Sequence, residues 1–315
     1  MPRVLITGAS GFVGANLARR LLSSPDTSVS IFTRENSNHW RIEDILPKLD
    51  VHYVNLTAQD EVKKAIQEIK PEIAYHLATY GGYPFQKDID SIFNTNVLGS
   101  INIMRALAEW GSVKKVVNIG SSSEYGVSPE PMKETDSLLP TTPYGISKVA
   151  QTSMACYFSR EHGLPVNTLR LFSVYGPYEE KGRLVSDIML AIIRNHPIKL
   201  FSPLPRRDFI FIDDVVEVLI KAAEAENVEG EIFNIGGGKD HSIKNVVSAV
   251  SKIVGRELNI DWGAEDKKRS FDTNSKWVAD ISKTKTLLNW GPSHSLEDGM
   301  RKTLGWYKEN HELYE

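Results

Sequence analysis

Two clusters of side chains in this sequence could do chemistry together. Tyr144-Gly145-Ile146-Ser147-Lys148 sets a phenol four residues ahead of an ammonium, and Ser121-Ser122-Ser123 lies upstream. On a helix, residues i and i+4 share a face. A phenol ordinarily titrates at about 10 and is a poor base at neutral pH. A nearby Lys148 cation favours the phenolate, and an oxidised nicotinamide would do the same. Lowering the pKa by ~3 units takes about 4 kcal/mol, which a close, partly desolvated cation can supply. Tyr144 can then exchange a proton with a substrate oxygen, while Ser121 and Ser122 steady the charge on that oxygen. The chemistry is hydride transfer to or from an alcohol or ketone.

A hydride needs a carrier, and the N-terminus has the form of a cradle for one. Thr7-Gly8-Ala9-Ser10-Gly11-Phe12-Val13-Gly14 follows the apolar run Val4-Leu5-Ile6. Gly8 permits the tight turn out of a strand, Gly11 lets backbone amides approach a pyrophosphate, and Gly14 allows close helix–strand packing. Ser10, Phe12 and Val13 complete the loop and first turn at the same phosphates. A glycine pattern alone is weak, but strand before and amphipathic helix after is the context it needs. About 20 residues on, NAD-binding chains usually place Asp or Glu for the ribose. Here Thr33 fills that slot and Arg34 follows it. Loss of the carboxylate and gain of a guanidinium tilt the cofactor from NAD toward NADP. A second Tyr-x-x-x-Lys match, Tyr83 to Lys87, contains Pro84 and follows Gly81-Gly82, so it reads as a loop.

These groups must be positioned by regular elements. Val4–Ile6, Val29–Phe32, His52–Val54, Ile73–His76, Val116–Ile119 and Val166–Leu171 read as strands. Gly14–Leu22, Gln59–Ile69, Ile92–Trp110 and Pro143–His162 read as helices. Thr142 can cap the last of these, Pro143 fits its first position, and Gly163 stops it. Apolar strands alternating with helices predict an α/β fold, a Rossmann-type doubly wound parallel sheet. Past residue 172 prolines and Gly236-Gly237-Gly238 loosen the rhythm. The expectation is a dinucleotide-binding domain over 1–172 and a smaller α/β substrate part over 173–315, with segments such as Phe209–Val218 returning to the first.

The bulk properties exclude several classes. A chain of 315 residues that is 41% apolar and 24% charged buries a large core. A net charge of −3 argues against nucleic acid as a partner. Cys156 is the only cysteine, so no internal disulfide or cysteine-based metal site forms, and no metal is expected. No apolar run approaches the ~18 residues of a membrane span, so no membrane partner is expected. Gly8, Ser10 and Gly11 break the N-terminal apolar stretch and rule out a signal peptide, which makes a cytoplasmic enzyme the expectation.

The ordered series of motifs resembles the extended short-chain dehydrogenase/reductase family, which holds nucleotide-sugar epimerases, dehydratases and ketosugar reductases. Besides Thr7–Gly14 and Tyr144–Lys148, the resemblance rests on His76-Leu77-Ala78-Thr79, Asn94-Thr95-Asn96-Val97 and Leu169 through Pro177. It extends to Arg207 through Val215, Phe233-Asn234-Ile235-Gly236 and Leu287 through Pro292. It implies that Asn55, Leu56, Leu77, Ala78, Thr79, Asn96, Phe172 and Val174 line the cofactor, together with Tyr144 and Lys148. It implies a nucleoside-diphosphate sugar as substrate, with Arg207 and Arg269 on the diphosphate, where a planar guanidinium binds two oxygens. Ser123, Glu124, Ser173, Arg183, Lys199 and Phe201 are further substrate candidates, and a homodimer is implied. Three departures stand out. Asn55 replaces an aspartate beside the adenine. Ser173 replaces an asparagine. In Ser121-Ser122-Ser123-Glu124-Tyr125, serines hold the slots where dehydratases carry acids, and Glu124 falls one position late.

Two chemistries at C4 of the sugar therefore fit. One is an NAD(P)-dependent 4-epimerase of the UDP-glucose 4-epimerase type; the other is an NADPH-dependent 4-keto-6-deoxysugar reductase. A 4,6-dehydratase is disfavoured by the missing acids, though a one-residue bulge could restore Glu124. A non-catalytic dinucleotide sensor on the same fold would not need Tyr144, Lys148 and the serines together.

Overall fold

The structure is a computed structural model that describes residues 2–24, 26–128, 130–263 and 277–315. The apolar runs form strands β1 (Arg3–Thr7), β2 (Ser28–Thr33), β3 (Asp50–Tyr53), β4 (Ile73–His76), β5 (Lys115–Ser121) and β6 (Val166–Leu171). Apart from the edge strand β3, which is exposed or half-buried, they are largely buried, as near-continuous apolar strands require. One parallel sheet of seven strands results, in the order Ile232–Ile235, β6, β5, β4, β1, β2, β3. This is the expected Rossmann-like architecture. The seventh strand comes from the C-terminal half, and the helix Ile212–Glu224 lies against the helix Phe12–Leu22. The later part of the chain thus returns to the sheet through Ile232–Ile235.

Alternate strand residues feed two apolar layers. Leu5, Phe32, Val116 and Val166 face the helices Gln59–Ile69, Gly99–Trp110 and Pro143–His162. Val4, Ile6, Val117 and Leu169 join the layer that continues into the C-terminal half. Past β6, the described residues form three small two-stranded sheets. Ser173–Tyr175 pairs with Phe209–Phe211, Arg206–Arg207 with His241–Ser242, and Ile198–Leu200 with Ile260–Trp262.

The strand order reverses between β1 and β4, and the carboxyl ends of the strands there open a crevice suited to a ligand. Two local features shape its edge. Thr142 caps the helix Pro143–His162 by accepting from Gly145 N at 3.0 Å, and Gly163 ends it in the left-handed region. The helix expected over Ile92–Trp110 is not continuous: Ile89–Phe93 and Gly99–Trp110 flank a π-helical turn at Asn94–Leu98. Such turns mark places where side-chain demands override the regular ladder. Here Asn96 reaches out of the helix to the loop after β4.

Candidate active site

The cradle after β1 is tight. Gly8 has φ +75°, and a Cβ there would stand 2.7 Å from Ala78 N. A Cβ on Gly14 would meet Gly8 O at 2.2 Å, so the first helix can press onto the loop only without one. Gly11 caps the helix Phe12–Leu22 with no side-chain bond, and the first turn carries no acid. A helix N-terminus with orphan amides and positive partial charge, left without an anionic side chain, suits a pyrophosphate. The residues present thus fit a dinucleotide. Ser10, Phe12 and Val13 are half-buried at this turn.

A buried chain of hydrogen bonds joins the cradle to the next loop. Ala78 N donates to Thr7 Oγ1 (3.2 Å), and Thr7 Oγ1 pairs with His76 Nδ1 (2.7 Å). Ser100 Oγ donates to Asn96 O (2.6 Å), so it receives from His76 Nε2 (2.7 Å), which fixes the imidazole tautomer. Burial, with Lys148 nearby, pushes the His76 pKa down to about 3, so the ring is a neutral strut. Asn96 then donates to Tyr80 O (2.8 Å) and Ser147 Oγ (2.9 Å), and accepts from Tyr80 N and Thr79 Oγ1. Ser147 Oγ donates to Tyr144 O (2.7 Å). Loop, π-turn and tyrosine helix are therefore held in one register.

Tyr144 is half-buried, and its ring packs against Gly81 and Gly82, whose Cβ positions would lie 3.3 to 4.0 Å from it. The loop set aside in the sequence, Gly81-Gly82-Tyr83, thus walls the tyrosine. Its signal was the glycine pair that begins five residues past the end of β4. Burial raises the Tyr144 phenol above its ordinary value, while the Ser121 and Thr79 hydroxyl groups and the Arg183 guanidinium oppose the rise.

Lys148 departs from the expected helper geometry. Its ammonium donates to Ile119 O and to Gln151 Oε1 (2.7 Å), and Gln151 Nε2 donates in turn to Asn118 Oδ1 (2.7 Å). Lys148 is 1% exposed, and burial, opposed by Glu124, lowers its pKa to about 8. A buried ammonium must find acceptors, and these lie on β5 and on its own helix rather than at the phenol. Gln151 and Asn118 carried no motif that sequence inspection could single out.

The serine cluster divides by side chain. Ser121 closes β5 and accepts from Ser123 N (3.2 Å); Ser122 Oγ accepts from Trp277 Nε1 (2.8 Å). Glu124, expected at the substrate, is instead fully buried. It accepts from Ser121 N (2.8 Å), Thr152 Oγ1 (3.0 Å) and Arg170 Nε (2.8 Å). The carboxylate is occupied, so no bulge returns it to the dehydratase slot.

The remaining candidates scatter. Leu56 O accepts from Asn102 (2.9 Å), and Asn55 braces Thr57 through its Oδ1. Leu77 is buried beside the cradle, Phe172 lies 6.5 Å from the Tyr125 ring, and Val174 is half-buried. Ser173 N donates to Asp208 O (3.0 Å). Arg183 stands 5.5 Å above the Tyr83 ring. Arg207 lies 5.4 Å from the Trp277 ring, hence close to the partner of Ser122. Asp208 beside it is buried, which pushes its pKa up to about 7, and accepts from Gly237, Gly238 and Ala279 amides. Arg34 is exposed after β2. Lys199 lies in the strand Ile198–Leu200 that pairs with Ile260–Trp262, and exposed Phe201 directly follows that strand. Arg269 lies outside the described residues.

A family model, the NAD dependent epimerase/dehydratase family, matches residues 4–236. The chain belongs to that family. It is therefore an enzyme of the NAD-dependent nucleotide-sugar epimerase and dehydratase group. A UDP-glucuronate 4-epimerase of Thermodesulfobacterium geofontis is 28% identical over 98% of this chain and 97% of its own. A UDP-glucose 4-epimerase of Thermotoga maritima, solved with UDP-glucose, superposes with a TM-score of 0.88 at 25% identity, covering 98% of this chain and 99% of its own. A UDP-glucuronic acid 4-epimerase of Bacillus cereus, solved with UDP-glucuronic acid and NAD, superposes at 0.85 with 26% identity, covering 97% and 99%. Among the described residues no helix is long and apolar enough to cross a membrane.

Proposed function

We propose that this chain is a nucleoside-diphosphate-sugar 4-epimerase, with a UDP-hexose or UDP-hexuronate as substrate. The observation that carries it is the Tyr144 phenol, set between Ser121 and Thr79 beside the β1–β4 crevice, in a chain matching 4-epimerases along nearly its whole length. When bound, the nicotinamide supplies the hydride acceptor and donor. Tyr144 takes the C4 hydroxyl proton and returns it after the sugar has turned its other face. Ser121 donates to the C4 oxygen as charge develops. Lys148 holds a positive charge beneath the site, and Arg207 binds the diphosphate with Arg269. In this scheme residues 1–172 hold the dinucleotide, and 173–315 supply the nucleotide-sugar contacts. The second copy of a homodimer meets the exposed stripe of the Tyr144 helix. The lone cysteine and the lack of a spanning helix among the described residues accord with a cytoplasmic enzyme.

The second possibility, an NADPH-dependent 4-ketosugar reductase, is favoured by exposed Arg34 next to the neutral Thr33 slot. Proton NMR separates the two. Purified protein with NAD and UDP-glucose, or UDP-glucuronate, is expected to yield the C4-inverted sugar without net cofactor consumption. No inversion, together with NADPH oxidation on a 4-keto sugar, would establish the reductase instead.

A further inference from the structure

At the end of β2, the slot that faces the adenosine ribose, where NAD-binding chains place Asp or Glu, is filled by Thr33 rather than a carboxylate, and Glu35 follows two residues later in the loop. Thr33 is 7% exposed, and its Oγ1 lies 2.8 Å from His39 Nε2. The hydroxyl in the acidic slot is therefore engaged by an imidazole. His39 is half-buried, and its Nδ1 makes no hydrogen bond among the described residues.

The loop that delivers His39 is pinned. Arg34 N donates to Ser37 Oγ (3.2 Å) and Ser37 N to Arg34 O (3.0 Å). Trp40 N donates to Asn38 Oδ1 (3.0 Å) and Ile42 N to His39 O (2.8 Å). The neighbouring Arg41 is engaged elsewhere: its guanidinium bonds Tyr178 O (2.8 Å) and Glu180 (2.7 Å) and lies 4.2 Å over the Trp40 ring. Of the two arginines in this loop, Arg34 is the exposed one.

We propose that the Thr33–His39 pair reads the 2′ position of the adenosine ribose through His39 Nδ1, and accepts both the 2′-hydroxyl of NAD and the 2′-phosphate of NADP. This rests on the dinucleotide site proposed above. The physical reason is the threonine hydroxyl, which can donate or accept. With Thr33 donating to Nε2, the proton sits on Nδ1, which then donates to a phosphate. With Thr33 accepting from Nε2–H, Nδ1 is unprotonated and accepts from a ribose hydroxyl. A carboxylate can only accept, and it repels a phosphate. A hydroxyl–imidazole pair of reversible polarity does neither, and Arg34 adds charge on the phosphate side.

The test combines removal of a side chain with removal of a ligand atom. Calorimetry measures NAD, NADP and 2′-deoxyadenosine NAD on the wild type, on His39→Phe and on His39→Gln. Wild type is expected to bind NAD and NADP within ~10-fold of each other, and both about 3–10-fold more tightly than the 2′-deoxy analogue, the scale of one net hydrogen bond. His39→Phe should leave the 2′-deoxy analogue within ~2-fold while NAD falls to meet it. His39→Gln, whose amide donates and accepts, should restore most of the gap. Equal weakening of all three ligands by His39→Phe would mean that His39 only supports the loop, and would overturn the proposal. So would an unchanged gap. Failure of the wild type to bind any of the three would instead remove the dinucleotide site.

Discussion

Tyr144 and Lys148 sit on one helix face, yet their environments differ. Burial raises the phenol against Ser121 and Thr79, while the ammonium is lowered to about 8 and satisfied by Ile119 and Gln151. Two consequences belong to these residues. Tyr144→Phe should cut turnover by at least ~10²-fold, the scale of lost general acid–base catalysis, with little change in NAD affinity. Activity within threefold of wild type would remove Tyr144 from its role. In the pH profile, the sign follows from the lowered lysine value. Lys148 is charged below about 8 and neutral above it. The rate in wild type should therefore fall as pH rises through about 8, and Lys148→Met should be slow and lack that inflection. The tyrosine–lysine spacing was legible as a motif. The partners of Lys148 were not, because Ile119 contributes a backbone oxygen and Gln151 reaches it only once helix and β5 are packed.

Among the elements, the turn after β5 departs most from its expected use. Glu124 and Arg170 are buried at 0% and 1% exposure, and Arg170 NH1 also donates to Tyr125 OH (2.8 Å), which donates to Asn234 (2.7 Å). The ion pair thereby ties the serine turn to β6 and to the Ile232–Ile235 strand. Removing one member of a buried pair strands the other charge, at a cost of roughly 3–5 kcal/mol. Arg170→Met should lower the unfolding free energy by about that much in urea titrations, and adding Glu124→Gln should recover part of it. A loss below ~1 kcal/mol would mean the pair is not holding the turn. Sequence spacing placed Glu124 near the chemistry; only β6, 46 positions later, supplied the cation that claims it. The π-turn at Asn94–Leu98 was equally hidden, since its apolar periodicity reads as plain helix.

At the scale of the molecule, the sheet brings the N-terminal cradle and the Tyr144 helix to one crevice, and the Ile232–Ile235 strand closes its far edge. The Tyr144 helix also presents Ile146 and Tyr157, 47% and 42% exposed, on one stripe with Ala150 and Ser153. Exposed apolar residues at i and i+11 on a helix suit a partner helix. A dimer through this stripe predicts that sedimentation gives about twice the 35.3 kDa chain mass, and that Ile146→Glu with Tyr157→Glu shifts it to monomer. A wild-type monomer at micromolar concentration would remove the dimer.

The sequence by itself determined the local grammar. Apolar runs, helix caps and glycines at spacing three dictate strand, turn and helix because each acts over a few residues, and the doubly wound α/β class follows from their alternation. The tyrosine and its lysine were equally local. Only the tertiary structure decided which partner each polar group takes. It gave Glu124 to Arg170, Lys148 to Gln151, Ser122 to Trp277 and Thr33 to His39. It also walled Tyr144 with Gly81-Gly82 and left Lys199 in a separate sheet. Those outcomes depend on which acceptor lies nearest once chain segments far apart in sequence are packed and water is excluded, and spacing along the chain carries no record of that distance.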